Sequence, residues 1–144
     1  GDGDEALADA LHAEFPQADI TPDETRLRAQ LKTLLAHLAG QEPHPDLPLD
    51  VQGTAFQKRI WEELRRIPYG QTASYSEIAR RTGQPTATRA VARACATNPA
   101  ALVTPCHRVV RENGELGGYR WGVERKRQLL EQEKSASLKR AAKQ

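Results

Sequence analysis

The chain has 144 residues and a formal net charge of +2, a length that suits one domain with a modest hydrophobic core. Its two cysteines and four scattered histidines lack the Cys-x-x-Cys spacing of a zinc site. No apolar run is long enough to cross a bilayer and no signal-peptide pattern is present. We therefore expect a soluble, cytoplasmic protein with reduced thiols, no membrane association and no zinc site.

The charge is distributed unevenly along the chain. Residues 1–50 carry 11 acidic and 3 basic side chains, a net charge of −8, whereas residues 51–144 carry 8 acidic and 18 basic ones, a net charge of +10. A field of one sign favours a polyanionic partner, although a solvated surface has the same composition. Because the change of sign coincides with a proline-rich stretch, we predict an N-terminal helical segment with its linker, 1–52, and a second domain, 53–144.

The N-terminal segment is predicted to form two helices. The first has apolar residues at helical spacing, Leu7, Leu11 and Phe15. The second is expected to begin with Thr21 as its N-cap and to end at Gly40. It carries one apolar stripe, formed by Leu27, Leu31, Leu34, Leu35 and Leu38.

Three further helices are predicted between residues 54 and 97. Two of them begin with residue pairs at capping-box spacing, Thr54 with Gln57 and Ser74 with Glu77. Gly83 ends the second, and the third runs over residues 86–97. A short helix, a tight turn and another helix make a helix-turn-helix candidate, although this pattern also occurs in many unrelated folds.

The C-terminal part is predicted to contain few regular elements. The stretch RVVRENGEL indicates a two-stranded ribbon that turns at Asn113-Gly114. A closing helix is expected over residues 123–134. Residues 135–144 are polar and are expected to form a poorly ordered tail.

Cys106 and His107 are adjacent in VTPCHRVV, and adjacent side chains are poorly placed to touch. A buried, unreactive thiol is the ordinary interpretation of a cysteine such as Cys106 or Cys95. A reactive thiol needs a nearby cation or a base. His107 could serve as that base through a bridging water, and Glu131 or Glu133 could orient its imidazole.

Arg89 lies among small residues, Thr86, Ala87, Thr88 and Ala90. Such a helix face could approach a groove of DNA while the long cation reaches into the base stack. Arg89 could equally be an ordinary solvated arginine. Tyr75 could pack in the core with its hydroxyl group at the rim.

The stretch TPCHRVVRENGELGGYRWG, with SYSEIARRTGQPTATRAVARACATNPA before it and RKRQLLEQE after it, resembles the O6-alkylguanine-DNA alkyltransferases. The resemblance extends over residues 1–134 and is strongest to the C-terminal part of the bacterial adaptive-response members. It implies an α+β fold by family, mainly α in this chain. The implied domain is winged-helix-like, with a helix-turn-helix and a small β-ribbon, and the preceding helical segment lacks the family's N-terminal strands.

The family transfers an alkyl group from O6 of guanine, or O4 of thymine, to its own cysteine, which is not regenerated. By resemblance Cys106 is the acceptor, His107 its water-mediated base, and Glu133, rather than Glu131, the residue that orients the imidazole. Tyr75 corresponds to the proton donor to N3 of the departing guanine. Asn98 corresponds to the asparagine that braces the cysteine-bearing turn.

The resemblance also implies how DNA is held. Arg89 fills the gap left by the extruded nucleotide, and small residues of the same helix, Thr86, Ala87 and Ala90, lie against the groove. Tyr119 lines the pocket, and the backbones of Val109 and Arg120 read the base edge. Trp121 and Ala101 are expected to flank the pocket, and the indole of Trp121 to narrow it. Arg93 stands where the family usually has a small residue.

The resemblance also implies the partner, double-stranded DNA with alkylated bases, bound by a monomer close to the bacterial nucleoid without a metal or an organic cofactor. Two alternatives remain open at this stage. One is a lesion-binding relative that transfers nothing, against which the presence of Cys106 argues. The other is a regulatory helix-turn-helix module.

Overall fold

A computed structural model describes residues 3–144. Among these residues it contains six α-helices, one 3-10 turn and one two-stranded sheet, as the mainly helical fold class predicts. The elements in chain order are α1 (Asp4–Glu14), α2 (Glu24–Leu38), α3 (Ala55–Arg65), β1 (Ala73–Ser74), α4 (Tyr75–Arg81), α5 (Thr88–Ala96), the 3-10 turn (Cys106–Arg108), β2 (Val109–Val110) and α6 (Val123–Ala142).

The hydrophobic core lies where α3, α4 and α5 meet the cysteine-bearing turn. α3 is an amphipathic helix whose start is fixed by the predicted capping box of Thr54 and Gln57. Its buried face and the faces opposite it supply the core residues, Ile60, Trp61, Leu64, Ile67, Ile78, Ala79, Val91 and Ala94. The indole nitrogen of Trp61 donates to the carbonyl of Ala94 at 2.9 Å, which ties α3 to α5.

The β-ribbon is built from different strands than the sequence indicated. β1 pairs with β2 in parallel, with Ala73 opposite Val109 and Ser74 opposite Val110. At Asn113-Gly114 the chain makes only a local turn, in which the N–H of Gly114 donates to the carbonyl of Arg111 and the N–H of Arg111 donates to the carbonyl of Glu115, so the prediction of a hairpin there is wrong. The parallel pairing places the start of α4 beside the turn that carries Cys106.

The second helix begins later than predicted. Asp23, not Thr21, is its N-cap, because the Asp23 carboxylate accepts the backbone N–H of Arg26 at 2.9 Å. The apolar stripe of this helix is largely uncovered, since Leu27, Leu31 and Leu35 are each more than half exposed. His37 is its buried residue.

The predicted disordered tail is wrong, because α6 continues to Ala142. Its last turns pack tightly against two glycines. A Cβ atom at Gly40 would lie 2.9 Å from Cβ of Ala136, and one at Gly70 would lie 2.7 Å from Cβ of Ser137. These contacts with distant parts of the chain stabilise a polar segment that has little tendency to order on its own.

The boundary between segments 1–52 and 53–144 falls in the irregular stretch between α2 and α3, and the division into two parts stays a prediction. Within residues 3–144, no helix combines the length and apolar character that a membrane span needs. The same residues contain no group of three or more His, Cys, Asp or Glu side chains that could hold a metal ion.

Candidate active site

Cys106 opens the 3-10 turn and lies at the floor of a cavity of about 300 Å³. Its side chain is buried, with 3% of the residue exposed. Three of the residues assigned by resemblance, Tyr75, Tyr119 and Arg120, line the same cavity. The other lining residues are Ala92, Cys95, Ala96 and Gly118. The fold therefore gathers two free thiols, two phenols and one face of α5 around one cavity.

His107 lies behind the cavity and is fully buried. Its Nε2 atom donates to Oε1 of Glu133 at 2.7 Å. Burial lowers the pKa of His107, and the hydrogen bond to Glu133 offsets this only in part, so the imidazole is neutral at pH 7. Because Nε2 carries the proton, Nδ1 is the basic atom, and it has no hydrogen-bond partner among residues 3–144.

Glu133, on α6, accepts hydrogen bonds from several residues of the site. Within the described part of the chain its carboxylate receives hydrogen bonds from His107 Nε2, from Nε and Nη2 of Arg108, and from the backbone N–H of Gly70. Burial would raise the pKa of this carboxyl group, but the hydrogen bonds from His107 and Arg108 outweigh it and lower the pKa to about 2. Glu133 is therefore ionised and can only accept. The alternative residue, Glu131, is exposed.

The Cys106 thiol is protonated in the resting protein. Burial raises its pKa, and a hydrogen bond from Asn98 and the charge of Lys126 lower it only in part. Asn98 also braces the loop before the thiol: its Nδ2 atom donates to the carbonyl of Thr104 at 2.8 Å, and its Oδ1 atom accepts from the N–H of Ala100 at 3.0 Å. A neutral buried thiol needs a base during reaction, which Nδ1 of His107 can provide.

Two buried cations of the site were missed by sequence reasoning. Arg108 follows His107 directly, yet an arginine there carries no signal that it will turn inward. Lys126 lies in the highly charged stretch VERKRQ and is nevertheless fully buried. Its Nζ atom donates to the carbonyls of Val109, at 2.6 Å, and Gly118, at 3.2 Å, and so joins two walls of the cavity.

Tyr75 begins α4 and is half-buried at the cavity wall. Burial, followed by the nearby Cys95 and Cys106, raises the pKa of its phenol to about 12. The phenol is therefore protonated at pH 7 and can donate. A Cβ atom at Gly117, whose φ angle is +68°, would lie only 2.9 Å from the Tyr75 hydroxyl, so this position requires glycine.

The residues assigned to DNA contact lie mainly along α5. Arg89 and Ala90, together with Arg93, line a second cavity of about 430 Å³ between α5 and the start of α3. Ala92 and Ala96 of the same helix line the cavity of Cys106. Thr86 is exposed just before the helix, and Ala87 is its half-buried N-cap. Residues of α5 therefore line both the cavity of Arg89 and Arg93 and the cavity of Cys106.

Next to Tyr119, the side chains of Trp121 and Arg120 pack against one another. Trp121 meets Tyr119 edge to face, with ring centroids 5.3 Å apart, and both line a neighbouring groove that includes Ala101. The guanidinium of Arg120 lies 5.3 Å from the centroid of Trp121. It also forms an ion pair with Glu14 of α1, at 2.8 Å. The side chain of Arg120 is therefore held by its neighbours, while Trp121 lies behind Tyr119.

The match to known proteins is specific. Residues 55–135 match the family model described as 6-O-methylguanine DNA methyltransferase, DNA binding domain. The chain belongs to this family. A family member in Escherichia coli strain K12, the bifunctional transcriptional activator/DNA repair enzyme Ada, is 48% identical over 92% of this chain and 38% of its own length. The chain thus spans well under half of that relative.

Two mycobacterial family members cover more of their own length. The methylated-DNA–protein-cysteine methyltransferase of Mycobacterium tuberculosis H37Rv is 49% identical over 80% of this chain and 70% of the relative. The crystal structure of Mycobacterium tuberculosis OGT in complex with DNA has a TM-score of 0.74 at 49% identity, over 76% of this chain and 68% of that one. The family's fold and its DNA-binding domain are thereby established for this chain.

Proposed function

We propose that this chain repairs double-stranded DNA by transferring a methyl or alkyl group from O6 of guanine, or O4 of thymine, to Cys106. One set of observations carries the proposal: the buried thiol of Cys106 lines a cavity beside α5, and the next residue is a neutral histidine oriented by an ionised glutamate. A resting thiol with a base behind it suits the acceptance of one alkyl group. The resulting thioether is stable, so each molecule acts once.

The first step brings the damaged base to the thiol. A base stacked in a duplex cannot reach a buried sulfur, so the nucleotide must leave the stack at a cost of a few kcal/mol. The exposed side chain of Arg89 fills the gap, and the small residues of α5 allow the helix to approach the groove. Contacts between basic residues and phosphates offset the cost without reading sequence.

The second step is a displacement at the alkyl carbon. The Cys106 proton passes through one bridging water to Nδ1 of His107, and Glu133 stabilises the imidazolium that forms. Sγ bonds to the alkyl carbon while the bond from that carbon to O6 breaks, and its electron pair remains with guanine. The Tyr75 hydroxyl protonates N3, so guanine leaves neutral, and the proton on His107 later returns to Tyr75.

The central test is the intact mass of the protein after incubation with duplex DNA that contains O6-methylguanine. We expect a single added methyl group, located on Cys106 by peptide mapping. Cys106→Ser should bind the same DNA and gain nothing. Cys95→Ser is the matched control, because Cys95 lines the same cavity, and it should still be methylated. A protein that binds DNA but keeps its mass is a binding module, and the proposal is then wrong.

Arg89→Ala tests the extrusion step. We expect it to slow methyl transfer from duplex DNA by at least about tenfold, since one intrahelical cation replaces the lost stacking of the extruded base. Transfer from the free base O6-methylguanine should be unaffected. Arg93→Ala is the comparison from the same cavity, and it should weaken DNA binding without slowing transfer at saturating DNA. Equal losses on duplex and free base would exclude a role of Arg89 in extrusion.

The setting of the reaction follows from its substrate. A bacterial protein that acts on chromosomal DNA works in the cytoplasm, at the nucleoid and away from membranes. A single chain contains the thiol, the base, the proton donor and the helix that faces DNA. We therefore propose that the protein acts as a monomer.

A further inference from the structure

Tyr69 lies directly behind the group of His107, Glu133 and Arg108. It belongs to the turn that follows α3 and is buried, with 8% of its surface exposed. The guanidinium carbon of Arg108 lies 5.4 Å from the centroid of its ring, and that of Arg140 lies 5.5 Å away. The next residue, Gly70, donates its backbone N–H to Glu133. No part of the mechanism above uses this ring.

The ring of Tyr69 is held by elements from both ends of the chain. His37, buried at the end of α2, meets the ring edge to face with centroids 5.6 Å apart. Nδ1 of His37 donates to the carbonyl of Glu42 at 2.6 Å, which fixes the orientation of the imidazole. Arg140, in the last turns of α6, donates to the carbonyl of Gly40. The ring therefore cannot move without displacing both α2 and α6.

The hydrogen bonds of Arg108 fix the position of its guanidinium group mainly within the plane of that group. Its Nε and Nη2 atoms donate to Glu133, at 2.8 and 3.0 Å, and its Nη1 atom donates to the carbonyl of Ile67 at 2.8 Å. All three bonds lie near the guanidinium plane. The guanidinium carbon of Arg108 also lies over the ring of Tyr69, and this cation–π contact restrains the guanidinium in addition to its hydrogen bonds.

We infer that Tyr69 is a positioning residue for alkyl transfer: its ring keeps Arg108 in the plane that binds Glu133, and Glu133 in turn orients His107. This role rests on the proposed function. When the ring is lost, Arg108 can tilt away and Glu133 loses two of the donors described above. Glu133 is then protonated at a higher pH, and the freed carboxylate also makes His107 easier to protonate. Both changes remove the base at the acid end of the pH range.

The charged groups around the site predict that the pKa values of Glu133 and His107 both rise when Arg108 tilts away. Glu133, Arg108 and His37 act on His107, and Glu133 itself faces His107 and Arg108. Loss of the Arg108 contact raises the pKa of Glu133, since that contact now lowers it, and raises that of His107 for the same reason. The acid limb of the rate profile should therefore move to higher pH.

The test compares Tyr69→Leu with Tyr69→Phe in the full chain. The rate of methyl transfer from O6-methylguanine duplex DNA is measured against pH, and the His107 imidazole is titrated by NMR. For Tyr69→Leu we expect the midpoint of the rate profile and that of the His107 titration to rise by about one pH unit. A shift of that size corresponds to the free energy of a buried cation–π contact. Tyr69→Phe keeps the ring and should restore the wild-type profile. A loss of rate that is equal at every pH, with an unshifted His107, would overturn the inference.

Arg140→Gln keeps the inference testable if Tyr69→Leu fails to fold, because Arg140 is only half-buried. It should raise both midpoints by a smaller amount, whereas Lys139→Gln, an exposed neighbour on α6, should not. An unshifted Arg140→Gln in that case refutes the positioning role. The titration of His107 needs no transfer, so a wild-type protein that never methylates Cys106 refutes the proposed function while the NMR midpoints still decide the role of Tyr69.

Discussion

Replacing Glu133 with glutamine should slow methyl transfer by about 100-fold or more and lower the free energy of unfolding by about 3–5 kcal/mol. Glutamine has the shape of glutamate but one acceptor oxygen, and its amide group would present N–H donors to Arg108 and His107. Arg108, which is 2% exposed, would keep its charge without an anion. His107 would lose the acceptor that holds its proton on Nε2 and so keeps Nδ1 basic.

The measurements are single-turnover rates on O6-methylguanine duplex DNA and urea unfolding. Glu131→Gln is the matched control, because Glu131 is exposed two residues away on α6. The two glutamates also separate in their pH dependence. The pKa of Glu133 is lowered to about 2 in the folded protein, so the stability it provides is present above the unfolded value of about 4.3 and is lost as the pH falls towards 2. The difference between wild type and Glu133→Gln should shrink over that range.

A Glu133→Gln variant that transfers as fast as Glu131→Gln would contradict the assigned role of this carboxylate. So would a stability difference that persists unchanged at pH 2. Loss of stability alone, with the rate retained, would mean that Glu133 braces the fold through Arg108 and that His107 needs no orienting partner.

Lys126→Met should slow transfer by about tenfold or more while the free energy of unfolding stays within about 2 kcal/mol of the wild type. The charge of Lys126 lowers the pKa of the Cys106 thiol, and a rise of one pKa unit alone reduces the thiolate fraction about tenfold. Its Nζ atom also joins the carbonyls of Val109 and Gly118. Losing these hydrogen bonds costs stability, whereas burying methionine in place of a cation offsets the cost.

Lys134→Met is the control for charge, since Lys134 is an exposed lysine on the same helix. Alkylation of Cys106 by iodoacetamide, measured against pH, separates the two effects of Lys126. We expect a higher midpoint for Lys126→Met than for Lys134→Met. If the midpoint is unchanged and only transfer from DNA is slower, Lys126 acts on the shape of the cavity alone. If neither changes, Lys126 has no part in the reaction.

The features that the sequence predicted correctly are those that depend on local chemistry. The capping box of Thr54 and Gln57 is visible in four consecutive residues, and the face of α3 follows from helical spacing. The stretch around Cys106 identified the family, which the comparison over residues 55–135 confirms. The roles of His107 and Glu133 came with that resemblance and stay predictions, although the fold places Nε2 of His107 2.7 Å from Oε1 of Glu133.

The features that escaped prediction depend on distant parts of the chain. β2 is only two residues long and finds its partner 36 residues earlier, so no periodic pattern could reveal it. Residues 135–142 are ordered by the close packing of Ala136 against Gly40 and of Ser137 against Gly70, two glycines that lie far away in sequence. Lys126 and Arg108 are buried because each finds an acceptor inside the fold. Lys126 donates to the carbonyl of Val109, and Arg108 donates to the carboxylate of Glu133. Composition alone assigns such cations to the surface.

The ion pair between Glu14 and Arg120 gives the acidic N-terminal segment a role in the basic half of the molecule. Arg120 is held by Glu14 on one side and by Trp121 on the other, and Trp121 packs on Tyr119 at the cavity. These contacts restrain the loop in the free protein, which lowers the entropic cost of ordering it on binding. A phosphate that approached Arg120 would exchange one anion for another. The side chain of Arg120 therefore holds the loop in place through its contacts with Glu14 and Trp121.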